Sequence, residues 1–315
     1  MSLSVDKGTL LVTDGNTHYP SDRRTWRFFK GELTTPTRIL LIDGAGRISL
    51  DALDWLAEQR TLLLRLKWNG QLVSAIGADG YLFDRRKVAW QIATRANEAR
   101  RIAFAVPLIV KKAKATLFNL QNLLPPSHSR DKAIDTARTA IRELKASPPS
   151  TVSELLAVEG WIAAGYFFAW RALQLNWKSE TRHPIPNEWR RFFSRSTLAA
   201  DIKKRNCGAT HPVNAMLNYA YGILEGHIRV GVFASGNDPA EGILHSSILP
   251  ERHSFVFDLM EPLRPVVDQA VLKLIDQERF SGADFVLQAD GVCRLNPELA
   301  RRVAQAVDLQ LRAAT

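Results

Sequence analysis

The sequence predicts an α+β protein of two domains, in which an N-terminal antiparallel β domain with one short helix precedes a larger all-α domain. With 315 residues, the chain is long for a single hydrophobic core. The first 77 residues contain short apolar runs of strand length, whereas apolar residues recur at helical spacing after Gly77-Ala78-Asp79-Gly80. We therefore place the two domains at residues 1–78 and 85–315.

Each element of the first domain has a local sequence signal. The apolar runs Thr9–Thr13 and Arg38–Ile42 have strand length, and Asp14-Gly15-Asn16 after the first of them is a turn signal. Ser49 is placed to cap a short helix with leucines on one face. Asn69-Gly70 predicts a two-residue hairpin between strands at 61–66 and 71–76. We find no catalytic motif here and interpret this domain as a packing or dimerisation module.

The composition favours a cytoplasmic protein with an anionic partner. The net charge is +10 and the sequence pI is about 9.8, which favours nucleic acid or a membrane surface. The longest apolar runs, at 102–110 and 161–170, are shorter than the roughly 20 residues of a membrane span, so we expect none. Asp6 comes early, and the N-terminus has no apolar run long enough for the core of a signal peptide, so we expect no signal peptide. Two cysteines exclude a disulfide framework and a multi-thiolate metal site.

Two basic segments are candidate binding surfaces for an anionic partner. Residues 85–114 contain nine lysines and arginines and one acid, Glu98. This pattern fits a solvated helix face and a phosphate-contacting face equally well. Residues 178–205 combine basic residues with Trp189, Phe192 and Phe193, which suits a nucleic-acid surface. Exposed loops with a few core aromatic residues would have a similar composition.

A predicted helix from Glu154 to Leu173, capped by Ser153, is apolar enough after Val158 to be buried. Glu159 lies in its middle. An unpaired buried carboxylate costs several kcal/mol, so Glu159 must be paired, protonated or bound to a metal. A salt bridge to a buried arginine is the structural alternative. Three further helices are predicted from Pro212, over 255–277 and over 297–312; the first carries a polar seam of Asn214, Asn218 and Tyr221.

The stretch 236–268 carries the pattern most suggestive of chemistry. His245 lies in a loop, and Asp258 and Glu261 are three residues apart on the predicted helix 255–277, which places both on one face. Arg264 and Asp268 continue that face among apolar residues. This pattern predicts a divalent-metal site with His245 and one or both acids as ligands. The pattern alone leaves Arg264, about one turn beyond Glu261, without an assigned role.

Four sequence blocks resemble the CRISPR-associated integrase of spacer acquisition. In order along the chain they are LLIDGAGRISLDALDWLAEQ, VEGWIAAGYFFAW, HPVNAMLNYAYGIL and GNDPAEGILHSSILPERHSFVFDLMEPLRPVVD. They cover the chain from about residue 40 to residue 268, and the set is more specific than any one block. The resemblance implies an N-terminal β domain and a larger α-helical catalytic domain, in agreement with the division above.

The resemblance implies that Glu159, His245 and Glu261 are the metal ligands, with Asp258 a second carboxylate close to the metal. For the reaction that the resemblance implies, Arg264 is expected to hold the scissile phosphate. Mixed oxygen and nitrogen ligands suit Mg²⁺ or Mn²⁺. Two departures from the family pattern are His211, where an acid often precedes Pro-Val-Asn, and Ser246-Ser247-Ile248, where a basic residue often follows the histidine.

The activity implied by the resemblance is metal-dependent DNA integration by 3′-hydroxyl transesterification, together with cleavage or resolution of branched DNA. The implied partners are double-stranded and branched DNA, a second copy of the chain in a homodimer, and the small second CRISPR-associated protein. One alternative is a transposon-type integrase, which is expected to carry an additional C-terminal DNA-binding module. The other is a non-catalytic DNA-binding subunit of the same fold, for which loss of a ligand would be the signature.

Overall fold

The structure, a computed structural model, describes residues 1–14, 24–77, 82–195, 209–245, 253–289 and 291–314. The chain forms two compact units, the first comprising Met1–Ile92 and Gly226–Glu241, the second Ala93–Glu225 and Gly242–Thr315. The first unit thus includes the segment 226–241 in addition to the N-terminal residues of the predicted β domain. The predicted turn residues 15–16, the predicted break at 78–80, the basic residues 203–205 and the residues 246–248 lie outside the described parts.

Residues 1–77, the N-terminal part of the first unit, contain two small mixed sheets and one helix among the described residues. The elements are β1 (Ser2–Asp6), β2 (Thr9–Thr13), β3 (Thr25–Phe28), β4 (Arg38–Ile42), β5 (Arg47–Ile48), α1 (Leu50–Glu58), β6 (Leu62–Leu66) and β7 (Leu72–Ile76). The sheet orders are β3-β2-β1-β5 and β4-β6-β7. The pairs β1–β2, β2–β3 and β6–β7 are antiparallel as predicted, but β1–β5 and β4–β6 are parallel.

The predicted helix cap and hairpin are both present, but the hairpin turn is longer than the predicted two residues, because the Lys67 N–H donates to the Gln71 backbone oxygen and the Gly70 N–H to that of Lys67. The Ser49 side chain accepts the backbone N–H of Ala52 and caps α1. Gly70 has φ +75°, which a side chain would strain, and it joins β6 to β7. The core lies between α1 and the strands, where Leu3, Trp55 and Leu63 are buried together.

The remaining elements are mostly helical, which confirms the predicted fold class. They are α2 (Arg85–Arg95), α3 (Glu98–Asn122), α4 (His128–Ala146), α5 (Val152–Ala169), β8 (Asn176–Trp177), α6 (Pro212–Ser235), α7 (Ser254–Met260), α8 (Arg264–Gln277), β9 (Arg279–Phe280), β10 (Phe285–Leu287), β11 (Cys293–Leu295) and α9 (Pro297–Ala314). Helices α3, α4 and α5 pack on one another around a core that includes Ile109, Leu144 and Leu155.

Helix α5 differs from the prediction in its cap and in its burial. Thr151, not Ser153, caps the helix, because Thr151 and Glu154 form a reciprocal capping box. Only one face is buried, and on the other Trp161 is 71% exposed and Phe168 is 50% exposed. By length and composition alone, Val152–Ala172 is the one segment among the described helices that would suffice to cross a membrane. Its packing against α3 and α4 is that of a helix in a globular domain.

The predicted helix over 255–277 is two helices. A 3₁₀ turn, Glu261–Leu263, separates α7 from α8. Pro262 and Pro265 lack backbone N–H groups, so neither can donate the hydrogen bonds that would continue α7. The consequence is that Asp258 and Glu261 leave the backbone from different elements and reach different partners.

Two of the three aromatic residues of the second basic segment are core residues, whereas the third, Phe193, is exposed. Trp189 and Phe192 are buried, and Trp189 packs 5.6 Å from Phe285 and 6.3 Å from Trp177, measured between ring centroids. The interpretation of these two residues as a stacking surface for nucleic acid is therefore wrong. His211, which replaces the family's acid, is buried and accepts the backbone N–H of Val213 at Nδ1, close to the start of α6.

Candidate active site

Two carboxylates from different elements meet at one ammonium group. Glu159 lies on α5, Glu261 lies in the 3₁₀ turn and Lys112 lies on α3. The Lys112 Nζ atom contacts Glu159 Oε1 and lies 2.5 Å from Glu261 Oε2. The second oxygen of Glu261, Oε1, accepts the Nε–H of Arg264 at 3.1 Å. Glu159, predicted to be buried, is partly buried with 22% of its side chain exposed, and its partner is a lysine rather than an arginine.

These contacts set the charge state of the cluster. Burial raises the pKa of Glu261, but Arg264, Lys112 and the nearby His245 outweigh it and hold the pKa below its ordinary value. Burial lowers the pKa of Lys112, but the carboxylates of Glu261 and Glu159 outweigh it and raise the pKa overall. Glu261 is therefore an anion and Lys112 a cation at neutral pH.

Asp258 organises the loop that carries His245. Its carboxylate is fully buried, and Oδ2 accepts the backbone N–H groups of Ile243 and Leu244 at 2.6 and 2.9 Å. Oδ1 lies 2.8 Å from both the backbone nitrogen and the ring Nδ1 of His245. With Asp258 as a carboxylate, Nδ1 carries the hydrogen, and the lone pair of the ring is left on Nε2.

A buried polar network extends from this cluster along α8. Asp268 accepts the hydroxyl groups of Tyr221 at 2.6 Å and Tyr166 at 3.1 Å. Asn119 donates to the hydroxyl oxygen of Tyr166 at 2.9 Å. Complete burial raises the pKa of Asp268 to about 6, although the two tyrosine hydrogen bonds act in the opposite direction.

The predicted polar seam on α6 is confirmed and has a partner. Arg195 donates to the side-chain oxygens of Asn214 and Asn218 at 3.5 and 2.7 Å. Its guanidinium carbon lies 5.4 Å from the centre of the Tyr221 ring, and that of Arg264 lies 5.2 Å from the same centre. Two guanidinium groups therefore flank one aromatic ring.

The two carboxylates, both arginines and the tyrosines line a single cavity of about 280 Å³. Its wall contains the carboxylates of Glu159 and Glu261. It also contains the cationic groups of Lys112, Arg195 and Arg264. A cavity with both signs of charge suits a ligand that brings a cation and a phosphate to adjacent positions.

The structure brings some of the predicted site residues together and leaves others apart. Glu159, Glu261 and Arg264 form one cluster, while His245 pairs with Asp258 beside it. Among the described residues, no group of three histidine, cysteine or acidic side chains is close enough to hold a metal ion. The ammonium group of Lys112 stands between the two carboxylates that the metal was expected to join.

Sequence reasoning missed Lys112 as a site residue and counted it in the basic run 85–114, which was interpreted as either a solvated or a phosphate-contacting helix face. A local signal was present, because Lys112 falls on the stripe of α3 that also holds the buried residues Ile109 and Thr116. Lys111, one position earlier, is exposed. Asp268 was placed on the helix face of the site, but its two tyrosine partners could not be identified from spacing.

The donor groups fit a divalent metal on two observations. The carboxylates of Glu159 and Glu261 already converge on a cation, namely the ammonium of Lys112. The Asp258–His245 pair is the carboxylate–imidazole arrangement that usually supports a metal-binding histidine, since it leaves Nε2 as the free donor atom. Glu159, Glu261 and His245 are the residues that would hold such an ion.

Curated relatives of this chain are CRISPR-associated nucleases. The chain is 31% identical over 224 residues to a CRISPR-associated exonuclease Cas4/endonuclease Cas1 fusion of Rhodospirillum rubrum, with 70% of the chain covered. That alignment spans 35% of the fusion, about a third of its length. A CRISPR-associated endonuclease Cas1 of Archaeoglobus fulgidus is 29% identical over 274 residues, which cover 83% of this chain and 74% of the relative.

Solved structures share the fold over the whole chain. A casposase bound to integration product has a TM-score of 0.77 at 24% identity and covers 98% of this chain and 84% of its own. A Cas1 protein from Thermotoga maritima has a TM-score of 0.56 at 17% identity and covers 100% of this chain and 88% of its own. At these identities the likeness concerns the fold alone. The family model described as CRISPR associated protein Cas1 matches residues 3–308, and the chain belongs to that family.

Proposed function

We propose that this chain is a divalent-metal-dependent DNA integrase and endonuclease that inserts new spacer DNA into a CRISPR array. Membership of the Cas1 family supports the general activity, and curated relatives are named as endonucleases. The observation that carries the proposal is the convergence of Glu159 and Glu261, from α5 and the 3₁₀ turn, on one cationic position beside His245.

In the proposed reaction, the 3′-hydroxyl of the incoming DNA attacks a phosphorus of the recipient strand. A bond forms between phosphorus and the attacking oxygen, and the bond from phosphorus to the 3′-oxygen of the recipient breaks. The attacking hydroxyl loses one proton and the leaving oxygen gains one. With water as the nucleophile, the same step is hydrolysis. A bound Mg²⁺ or Mn²⁺ supplies activation of the nucleophile and neutralisation of the charge that develops on phosphate.

The residues of the chain position and neutralise the reacting groups. Asp258 holds the His245 ring so that Nε2 stays available as a ligand atom. Arg264 uses one N–H on Glu261, and its guanidinium group has further donors in the cavity wall for phosphate oxygens. Arg195 lines the same cavity and adds a second guanidinium group. Both arginines thus raise the affinity of the cavity for an anion.

The proposed partners are DNA, a second copy of the chain and the small Cas2 protein. Solved structures with this fold include a partial Cas6-RT-Cas1–Cas2 complex, with a TM-score of 0.69, and a Cas1–DNA complex, with a TM-score of 0.56. The net charge of +10 supports DNA, a polyanion, as a partner.

The test is strand transfer by the purified protein, supplemented with Cas2, from DNA with free 3′-hydroxyl ends into a repeat-containing plasmid, with Mn²⁺ or with chelator. We expect Glu159→Gln, Glu261→Gln and His245→Ala to reduce strand transfer at least about a hundredfold, because each removes one ligand. Glu143→Gln, an exposed change on α4, is the matched control and should retain activity. DNA binding at low salt should remain in all four variants.

Two other functions give different results in the same assay. The first is a transposon-type integrase, which the fold likeness to the casposase favours as an alternative. Such an enzyme would join its DNA without preference for a CRISPR repeat. A non-catalytic DNA-binding subunit would bind DNA with no metal-dependent joining or cleavage. Strand transfer that persists in all three ligand variants, or that is unaffected by chelation, contradicts the proposed site.

A further inference from the structure

We propose that Lys112 is an internal counter-cation of the metal centre, which occupies the cation position in the metal-free protein and is displaced when a divalent ion binds. This inference rests on the proposed function, because it concerns the same two carboxylates. It assigns to Lys112 a positioning role: it keeps Glu159 and Glu261 converged before the ion arrives, and it lowers the affinity of the site for the ion.

The position of Lys112 supports this role. Its side chain is only 15% exposed, and its ammonium contacts one oxygen of Glu159 and one oxygen of Glu261. Arg264 covers the other oxygen of Glu261 but has no contact with Glu159 among the ion pairs of the described residues. Lys112 is thus the group that joins the two carboxylates, which come from positions 159 and 261.

Without this ammonium, two carboxylates would face each other in a partly buried site. Like charges at a few ångströms repel more strongly there than in water, because the effective dielectric constant is lower. Repulsion between cations likewise disfavours an ammonium and a divalent ion between one pair of carboxylates. In the proposed exchange, the ion therefore replaces the ammonium at both carboxylates.

The cavity beside Lys112 has room for the displaced group. Its volume is about 280 Å³ and Lys112 lies in its wall. The lysine stem has four flexible carbons, so the ammonium can swing into this space by rotation of side-chain torsions. Neither α3 nor α5 needs to move for the exchange.

The decisive variant is Lys112→Met, which keeps most of the stem and removes the charge. We expect its metal-free form to melt at a lower temperature than the wild type, because the carboxylates repel. We expect Mn²⁺ to bind about tenfold more tightly, because no buried ion pair opposes binding. Free Mn²⁺ measured by electron paramagnetic resonance gives the Kd, and thermal unfolding with and without Mn²⁺ gives the stabilisation. Neither readout requires DNA or turnover.

Two variants serve as controls. Lys111→Met removes a charge from the exposed neighbouring position and should leave the Kd for Mn²⁺ within about twofold of the wild type, because exposed charges are screened. Lys112→Arg keeps the charge but changes the packing of the side chain. If the charge controls the Kd for Mn²⁺, this variant should bind Mn²⁺ about as tightly as the wild type.

The measured Kd values distinguish the role of Lys112 from the existence of the metal site. A Kd for Lys112→Met equal to or weaker than that of the wild type overturns the role of Lys112 while leaving the metal site intact. Absence of Mn²⁺ binding in both proteins overturns the metal centre itself. If Lys112→Met does not fold alone, refolding with Mn²⁺ should rescue it, and the shorter polar variant Lys112→Gln is measured in the same way. Failure of Mn²⁺ to rescue either variant contradicts the inference.

Discussion

Asp258 and Glu261 carry the same functional group three residues apart, yet the structure gives them different tasks. Asp258 is fully buried and accepts hydrogen bonds from the loop at Ile243–His245. Glu261 faces the cavity and binds two cations. The end of α7 at Met260 lies between them, so Asp258 belongs to α7 and Glu261 begins the 3₁₀ turn. This geometry supports Glu261 as the metal ligand and Asp258 as the group that orients His245.

Asp268 is a buried acid whose protonation is linked to folding. Its ordinary pKa is 3.8, and burial raises it to about 6 in the folded chain. Because the folded state binds the proton more tightly, the stability that Asp268 contributes is fully present below pH 3.8 and is lost as the pH rises through 6.

The variant Asp268→Asn removes this pH-dependent contribution. The variant should be less stable than the wild type by a margin that depends on pH. We expect this loss in the free energy of unfolding to be about 2 kcal/mol larger at pH 4 than at pH 7. Urea denaturation at both pH values measures the difference. Asp276→Asn, an exposed change on the same helix, is the control. A loss that is equal at both pH values, or greater at pH 7, would refute the raised pKa.

At the scale of elements, α5 shows why an apolar helix is not always a fully buried one. Its residues after Val158 are almost all apolar or small, which predicts burial all round. The structure buries Leu155, Ile162 and Tyr166 on one face and leaves Trp161 exposed on the other. Only the number and placement of neighbouring helices decide how much of such a helix is covered.

The loop that carries His245 depends on a glycine. A Cβ atom at Gly242 would lie 2.2 Å from the backbone oxygen of His245 and 2.5 Å from Cβ of Ser254, at the start of α7. Both distances are well below van der Waals contact, and one neighbour is backbone, which cannot rotate away. The loop can therefore pack against α7 only with glycine at this position.

The variant Gly242→Ala should displace the loop and with it the imidazole. We expect a loss of about 1–3 kcal/mol in the free energy of unfolding from overpacking. Strand transfer should fall further than stability alone explains, because Asp258 no longer holds His245. Thermal unfolding and the strand-transfer assay measure the two effects. Gly231→Ala on α6, where a Cβ meets open space, is the matched control. An unchanged melting temperature with full activity would show that the loop adapts.

At the scale of the whole molecule, the net charge of +10 predicts DNA binding that weakens steeply with salt. The long helix α3 divides its basic residues between two tasks. Lys112 is turned to the carboxylates, whereas Arg100 and Lys114 are exposed and available to phosphates. Exposed residues of this kind contribute affinity without sequence preference.

The double variant Arg100→Gln/Lys114→Gln tests this division. If each residue contacts one phosphate, the slope of log K against log salt concentration should fall by roughly 2, since each contact contributes about 0.9. Fluorescence anisotropy with labelled duplex DNA at several salt concentrations gives the slope. Lys273→Gln on α8, where the lysine is hydrogen-bonded to Gln310, serves as the control. A slope equal to that of wild type would exclude this face of α3 from the DNA interface.

The sequence by itself determined the strand-rich first part and the helical second part, the cap of α1 and the hairpin at Asn69-Gly70. These features depend on residues close together in the chain, such as Ser49 with Ala52, so local patterns encode them. The resemblance of four blocks to the family supplied Glu159, His245 and Glu261 as ligands, a role that stays a prediction.

Only the tertiary structure decided which groups these acids meet. Lys112 lies 47 residues from Glu159 and 149 from Glu261 along the chain, and local periodicity carries no information about pairs so far apart. Which acids Lys112 reaches is settled by how α3 packs against α5, the 3₁₀ turn and α8. The physical reason is that burial forces each charged group to find a partner, and the partner is whichever opposite charge the packed helices bring within hydrogen-bond distance.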